Sequence, residues 1–292
     1  MRLYLGCPVW SFKGWVGNFY PQGTRPGEYL HEYARRLTTV EGNTTFYATP
    51  SAQTLAGWAA EMPEGFHFCP KLPRAVSHQG ELAGHIQEAQ AFMEVMRQLG
   101  THLGPAFLQL PPRFAPRQIE DLRAFLEAWP GGYRLAVEVR HPDWFSTPHS
   151  EALDQMLHDQ EIARVTIDTR PIRDLDGDRA LAGTVYQSLL EARQRKPDVP
   201  ATPARTTDFL FVRYIGHPAL EHNQPYLEAW AQIVASALRA GADAYLFCHT
   251  PDTLFAPFLC RELHRRVSAE IPLTPLPWEG ADAGTLSQGR LF

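Results

Sequence analysis

Short apolar runs alternate with amphipathic segments eight times along this 292-residue chain, and that rhythm restricts its fold more than any other feature. Residues 3–5 lead to a helix near 27–36, and 39–41 lead to a helix at 52–61 that Ser51 caps. Residues 66–71 precede a helix at 82–99 closed by Gly100, 106–110 precede 117–129, and 135–140 precede 151–160. Strands at 163–168, 209–214 and 244–249 complete the set, with helices at 224–240 and 253–267 after the last two. Strands joined by helical crossovers run parallel, and eight repeats in a chain of this size predict an α/β fold, a closed (β/α)8 TIM-type barrel, with an open doubly wound sheet as the rival. Two segments break the rhythm. Residues 170–208 read as a long insertion or lid after strand six, holding a weak helix at 180–195 and a Pro-rich mobile loop at 196–203. Residues 271–292 read as a flexible, disordered Pro/Gly-rich tail, so a single barrel domain is expected over 1–270.

A hydrophobic content of 44% with 20% charged residues suits a globular domain large enough to bury a core. The formal charge of -5 gives no overall basic footprint for nucleic acid, though a local basic groove is compatible with it. No apolar run approaches a membrane span, and residues 1–6 enter a strand pattern at once, so a cytoplasmic home and no membrane partner are expected. Cys7, Cys69, Cys248 and Cys260 lack any paired spacing for zinc or redox chemistry and read as reduced packing thiols.

Polar residues gather at one place in this pattern, the C-terminal ends of the strands. If 134–140 is extended, Leu135, Val137 and Val139 share one face while Ala136, Glu138 and Arg140 share the other. A lone buried carboxylate is costly, so Glu138 requires a cation, a metal or a ligand as partner, and His141-Pro142 stops the strand directly afterwards. The same alternation offers Glu41 and Asn43 on strand two, Lys71 on strand three, Gln109 on strand four, Asp168 on strand six, Arg213 on strand seven and His249 on strand eight. In a barrel these converge at the top of the axis, where such folds place their chemistry.

An interior ion-pair network is the plain structural reading of that set. Leucine would fill a purely structural core at lower cost, which favours a bound polar guest. Glu41, Glu138 and Asp168 are then candidate acids or bases, Lys71 a candidate base or Schiff-base amine, and Arg140 and Arg213 grips for a phosphate or carboxylate. Glu41, Glu138, Asp168, His78, His141 and His249 are metal-ligand types, yet no close-spaced ligand motif supports a divalent metal and neighbouring cations compete for the carboxylates. No cofactor is assigned. Trp10, Tyr47 and Trp144 follow strand ends as candidates to stack on a sugar or base, against a background of ordinary loop packing. No serine elbow, glycine-rich phosphate loop or zinc-protease motif is present.

Taken together, Gly6 with Trp10-Ser11-Phe12 and Trp15, Phe19-Tyr20-Pro21, Val40-Glu41-Gly42-Asn43-Thr44-Thr45-Phe46-Tyr47, Lys71-Leu72-Pro73-Arg74 with Ser77-His78, Gln109-Leu110-Pro111-Pro112, Glu138-Val139-Arg140-His141 with Trp144, and Asp168 resemble the domain-of-unknown-function 72 family. The resemblance implies a TIM-type barrel with a polar pocket at its top and leaves the reaction open. The chain departs from the family pattern at Cys248-His249, where an Asn-Asn pair is usual, and in the length of the segment after Asp168. By barrel type the family is similar to sugar isomerases and endonuclease IV, an analogy of fold alone. Gln288, Leu291 and Phe292 resemble the short peptide by which bacterial DNA-maintenance proteins dock on the sliding clamp. Two functions are therefore expected: an enzyme or binder of a phosphorylated, sugar or nucleotide-like ligand, or a DNA-maintenance accessory protein recruited through that tail, with nucleic acid as a further partner.

Overall fold

Each apolar run of the sequence is an extended strand: β1 Leu3–Gly6, β2 Thr39–Gly42, β3 His67–Pro70, β4 Ala106–Gln109, β5 Leu135–Glu138, β6 Ala163–Asp168, β7 Phe209–Ile215 and β8 Asp243–His249. The structure, a computed structural model, describes residues 1–176, 178 and 181–281. All strand pairs are parallel. Six strands form one sheet in the order β1-β8-β7-β6-β5-β4, and β2 pairs with β3. Beside β1, Thr38 N donates to Leu5 O at 3.1 Å and Glu41 N to Cys7 O at 3.1 Å. Beside β4, Gly104 N donates to Phe68 O at 2.9 Å and Leu72 N to Phe107 O at 2.9 Å. The sheet is curled, so that side chains of distant strands meet over its concave face. Gly6 permits the close approach of β1 to β2, since a Cβ there would stand 2.1 Å from Thr39 O.

Helices follow the strands: α1 Tyr29–Ala34, α2 Ala52–Glu61, α3 Arg74–His78, α4 Ile86–Met96, α5 Ile119–Glu127, α6 His149–Asp159, α7 Arg170–Arg173, α8 Gly183–Arg195, α9 Gln224–Arg239, α10 Ala256–Glu270 and α11 Pro277–Ala281. Ser51 caps α2 as expected, its hydroxyl accepting from Thr54 N at 3.1 Å. Leu227, Trp230, Ala231, Val234 and Leu238 of α9 recur at helical spacing and are buried against the sheet's outer side. The concave side holds a second core of Tyr4, Phe107, Ala136, Val165, Phe209, Phe211, Tyr245 and Phe247. Full burial of a large side chain contributes roughly 1.5–3 kcal/mol, so both faces of the sheet stabilise the fold.

Two expectations change. Residues 271–279 are not a loose tail: Leu276 and Trp278 are buried, and the Trp278 ring meets Phe19 edge-on at 5.0 Å beneath the Arg261 guanidinium at 4.4 Å. The segment after β6 is likewise fastened, because Leu189, Ala192 and Val199 pack with Ile167, Ile172 and Ile215. Among the described residues no helix is long and apolar enough to cross a membrane.

Candidate functional site

Period-two alternation puts Glu41, Lys71, Gln109, Glu138, Arg213 and His249 on the concave face, directly above the aromatic floor, and all six are buried. One chain of hydrogen bonds joins them. Lys71 Nζ donates to Gln109 Oε1 at 2.9 Å, and Gln109 Nε2 donates to Glu138 Oε1 at 2.8 Å. Arg213 Nη1 donates to Glu138 Oε2 at 2.7 Å, and its Nε and Nη2 grip Glu41 at 2.8 and 2.9 Å. Glu41 also accepts from Asn43 Nδ2 at 2.7 Å and lies 3.2 Å from His249 Nε2. The Arg213 guanidinium stacks 5.0 Å from the Phe107 ring, and Lys71 Nζ stands 4.2 Å over Phe46.

These contacts decide which groups stay charged. Burial alone would raise the carboxyl pKa of Glu41, but Arg213 and His249 outweigh it and hold it well below the usual range; against the same cost of burial, Arg213 and Arg140 lower that of Glu138. Both acids are therefore fixed anions, Glu41 giving both oxygens and Glu138 giving Oε2 to Arg213. Burial pushes the His249 imidazole down to about 4 despite Glu41, so it stays neutral at pH 7; in the tautomer with its proton on Nε2 it donates to that carboxylate. Burial, helped by Arg213, lowers the Lys71 ammonium to about 8.

Two more cations complete the rim. Arg140, just past β5, places Nε 3.5 Å from Glu138 Oε1 and donates from Nη2 to Arg195 O at 3.0 Å; its Nε is buried without a hydrogen-bond partner. Lys196, half-buried at the end of α8, is lowered to about 7 by burial and then by Arg213. Sequence reasoning missed Lys196, because a lysine in a Pro-rich loop carries no periodic signal of where it points. Four cations thus share the cluster with two carboxylates.

The other expected residues are placed as follows. His78 is at the rim, edge-on to Phe46 at 5.2 Å, and burial followed by Lys71 and nearby arginines pushes it down to about 4. Tyr47 is 81% exposed beside Phe46. His141 caps the turn after β5, its Nδ1 accepting from Asp143 N at 3.2 Å. Asp168 is a correction: the concave residues of β6 are Ala163 and Val165, so Asp168 points to the helix layer. There it accepts from Trp230 Nε1 at 2.8 Å and from Arg170 Nε and Nη2 at 2.9 and 2.7 Å. Trp10 and Trp144 are also corrected from stacking platforms to core: Trp10 packs edge-on against Trp58 at 5.1 Å, and Trp144, fully buried, donates to Phe114 O at 2.8 Å. Among the described residues no group of three or more His, Cys, Asp or Glu side chains is arranged to hold a metal. Gln288, Leu291 and Phe292 lie outside the described residues.

The model of the family described as "Protein of unknown function DUF72" matches residues 4–281. The chain belongs to the DUF72 family. The DUF72 match runs from within β1 through β8 and takes in the whole charged cluster. The UPF0759 protein YecE of Escherichia coli (strain K12) is 34% identical over 272 residues, 92% of this chain and 94% of that protein. In fold the chain is similar to a crystal structure of a DUF72 family protein from Enterococcus faecalis V583, with TM-score 0.67 and 17% identity over 94% of this chain and 97% of that one. A DUF72 family protein from Thermotoga maritima MSB8 gives TM-score 0.66 and 20% identity, over 92% of this chain and 100% of that one.

Proposed function

We propose that this protein binds a small anionic ligand, a phosphorylated sugar or nucleotide-like molecule, at the C-terminal ends of its strands, and that the eight strands close as a (β/α)8 barrel around that site. One observation carries the reading. Arg213 takes up both carboxylates, and Lys71, Arg140 and Lys196 remain with an amide, a backbone carbonyl, a carboxylate 3.5 Å away, or no direct partner. Buried or half-buried cations left so poorly balanced are costly, and an anion would offset that cost. Lys71, lowered to about 8, is matched to proton transfer near neutral pH and is the candidate acid/base of an enzyme acting there. Glu41 and Glu138, held ionised, serve that reading by fixing Arg213 and, through Gln109, Lys71. Calorimetric titration of the full chain with inorganic phosphate tests it. Saturable binding that weakens about tenfold or more in Arg140→Ala and Lys71→Met, with melting temperatures kept, supports the site. Binding unchanged in both variants places the ligand elsewhere.

A further inference from the structure

Three successive backbone carbonyls, from the last residue of α8 onward, are each held by a side chain from another element. Arg140 Nη2 donates to Arg195 O at 3.0 Å, Arg173 Nη2 to Lys196 O at 2.9 Å, and Thr169 Oγ1 to Pro197 O at 3.0 Å. Lys196 leaves the helix in extended conformation, with φ -86° and ψ 141°, and Pro197 stiffens the next step. The segment is thereby a strap fastened to residues just past β5 and β6 and to α7. Lys196 follows directly on the carbonyl that Arg140 holds, which brings it beside the cluster, and the charges of Arg213, Glu41, Glu138 and Arg140 act on its ammonium. No hydrogen bond or ion pair within 4.0 Å engages that ammonium among the described residues. Arg140 is shared between strap and cluster, with Nη2 spent on Arg195 O and Nε buried without an acceptor.

We propose that residues 195–197 form an anion strap, in which the Lys196 ammonium closes with Lys71 Nζ and the Arg140 guanidinium on the phosphoryl group of a phosphate monoester. The inference rests on the anionic-ligand reading above and adds to it the ligand's charge class and a contact residue from outside the strands. A phosphate monoester carries about -1.5 to -2 charge at neutral pH and accepts several hydrogen bonds at once, which matches three cations converging from different elements. Lysine suits the strap position, since a flexible stem with a compact charge follows a ligand that the planar arginine holds in register. An anion beside Lys196 favours its protonated form, so binding takes up a proton.

The test titrates inorganic phosphate into the full chain by calorimetry, comparing wild type with Lys196→Met, which keeps the alkyl stem, with Lys196→Ala and with Arg140→Ala. Melting temperatures are measured for each. The strap predicts affinity about tenfold or more weaker in both Lys196 variants at unchanged melting temperature, together with net proton uptake by the wild type when sulfate, which stays a dianion, replaces phosphate. Wild-type affinity in Lys196→Met and Lys196→Ala alongside weakened Arg140→Ala overturns the strap and leaves the strand-end site standing. No saturable phosphate binding by the wild type overturns both.

Discussion

Arg213 bonds two carboxylates that have no exposure to water, so removing its charge leaves both uncompensated. Arg213→Met is expected to lower stability by about 3–5 kcal/mol, read from urea unfolding. A second expectation concerns acid. His249 takes up its proton near 6.5 when unfolded but near 4 when folded, and Glu41 is held below its ordinary value. Between those limits the unfolded chain binds more protons at His249, so the His249 contribution to stability is full above pH 6.5 and falls as pH drops toward 4, by up to about 1.4 kcal/mol per unit. His249→Asn should flatten the upper part of that decline in a pH series of thermal melts; an unchanged slope would show that His249 does not carry it. The charges on β2, β3, β4, β5, β7 and β8 were legible because a strand's parity sorts faces without knowledge of its neighbours. Asp168 was not, since position at a strand's end does not say which face is concave; the apolar Ala163 and Val165 decide it only once β7 is beside them. Trp10 and Trp144 failed for a related reason, as loop aromatics reveal their partners only in three dimensions.

At the scale of elements, Asp168 ties β6 to α7 and α9 through Arg170 and Trp230. Asp168→Asn is therefore expected to lower stability by roughly 1.5–3 kcal/mol while phosphate affinity stays within about twofold. A large loss of affinity without loss of stability would return Asp168 to the site. Strand and helix positions were readable because local periodicity reports which side of an element is buried. The docking of residues 271–279 was hidden, because the pocket of Trp278 is assembled from Phe19 and Phe258, which are far apart in the chain. The strap was hidden too. Its course depends on Arg140, Arg173 and Thr169, and in sequence the stretch shows only proline and charge.

For the molecule as a whole, a formal charge of -5 surrounds a cluster in which cations outnumber acids, so the site concentrates positive charge that the surface does not advertise. If residues 288–292 are a clamp peptide, their deletion removes binding to a bacterial sliding clamp and leaves phosphate affinity and melting temperature unchanged; clamp binding that survives the deletion discards that partner. The most direct test of the cationic site is sulfate affinity as a function of pH, because sulfate remains a dianion while Lys71 and Lys196 titrate near 8 and 7. An anion site built on these lysines predicts saturable binding that is level below about pH 6 and at least about tenfold weaker by pH 9. Absence of saturable binding throughout, or affinity that rises with pH, would contradict it.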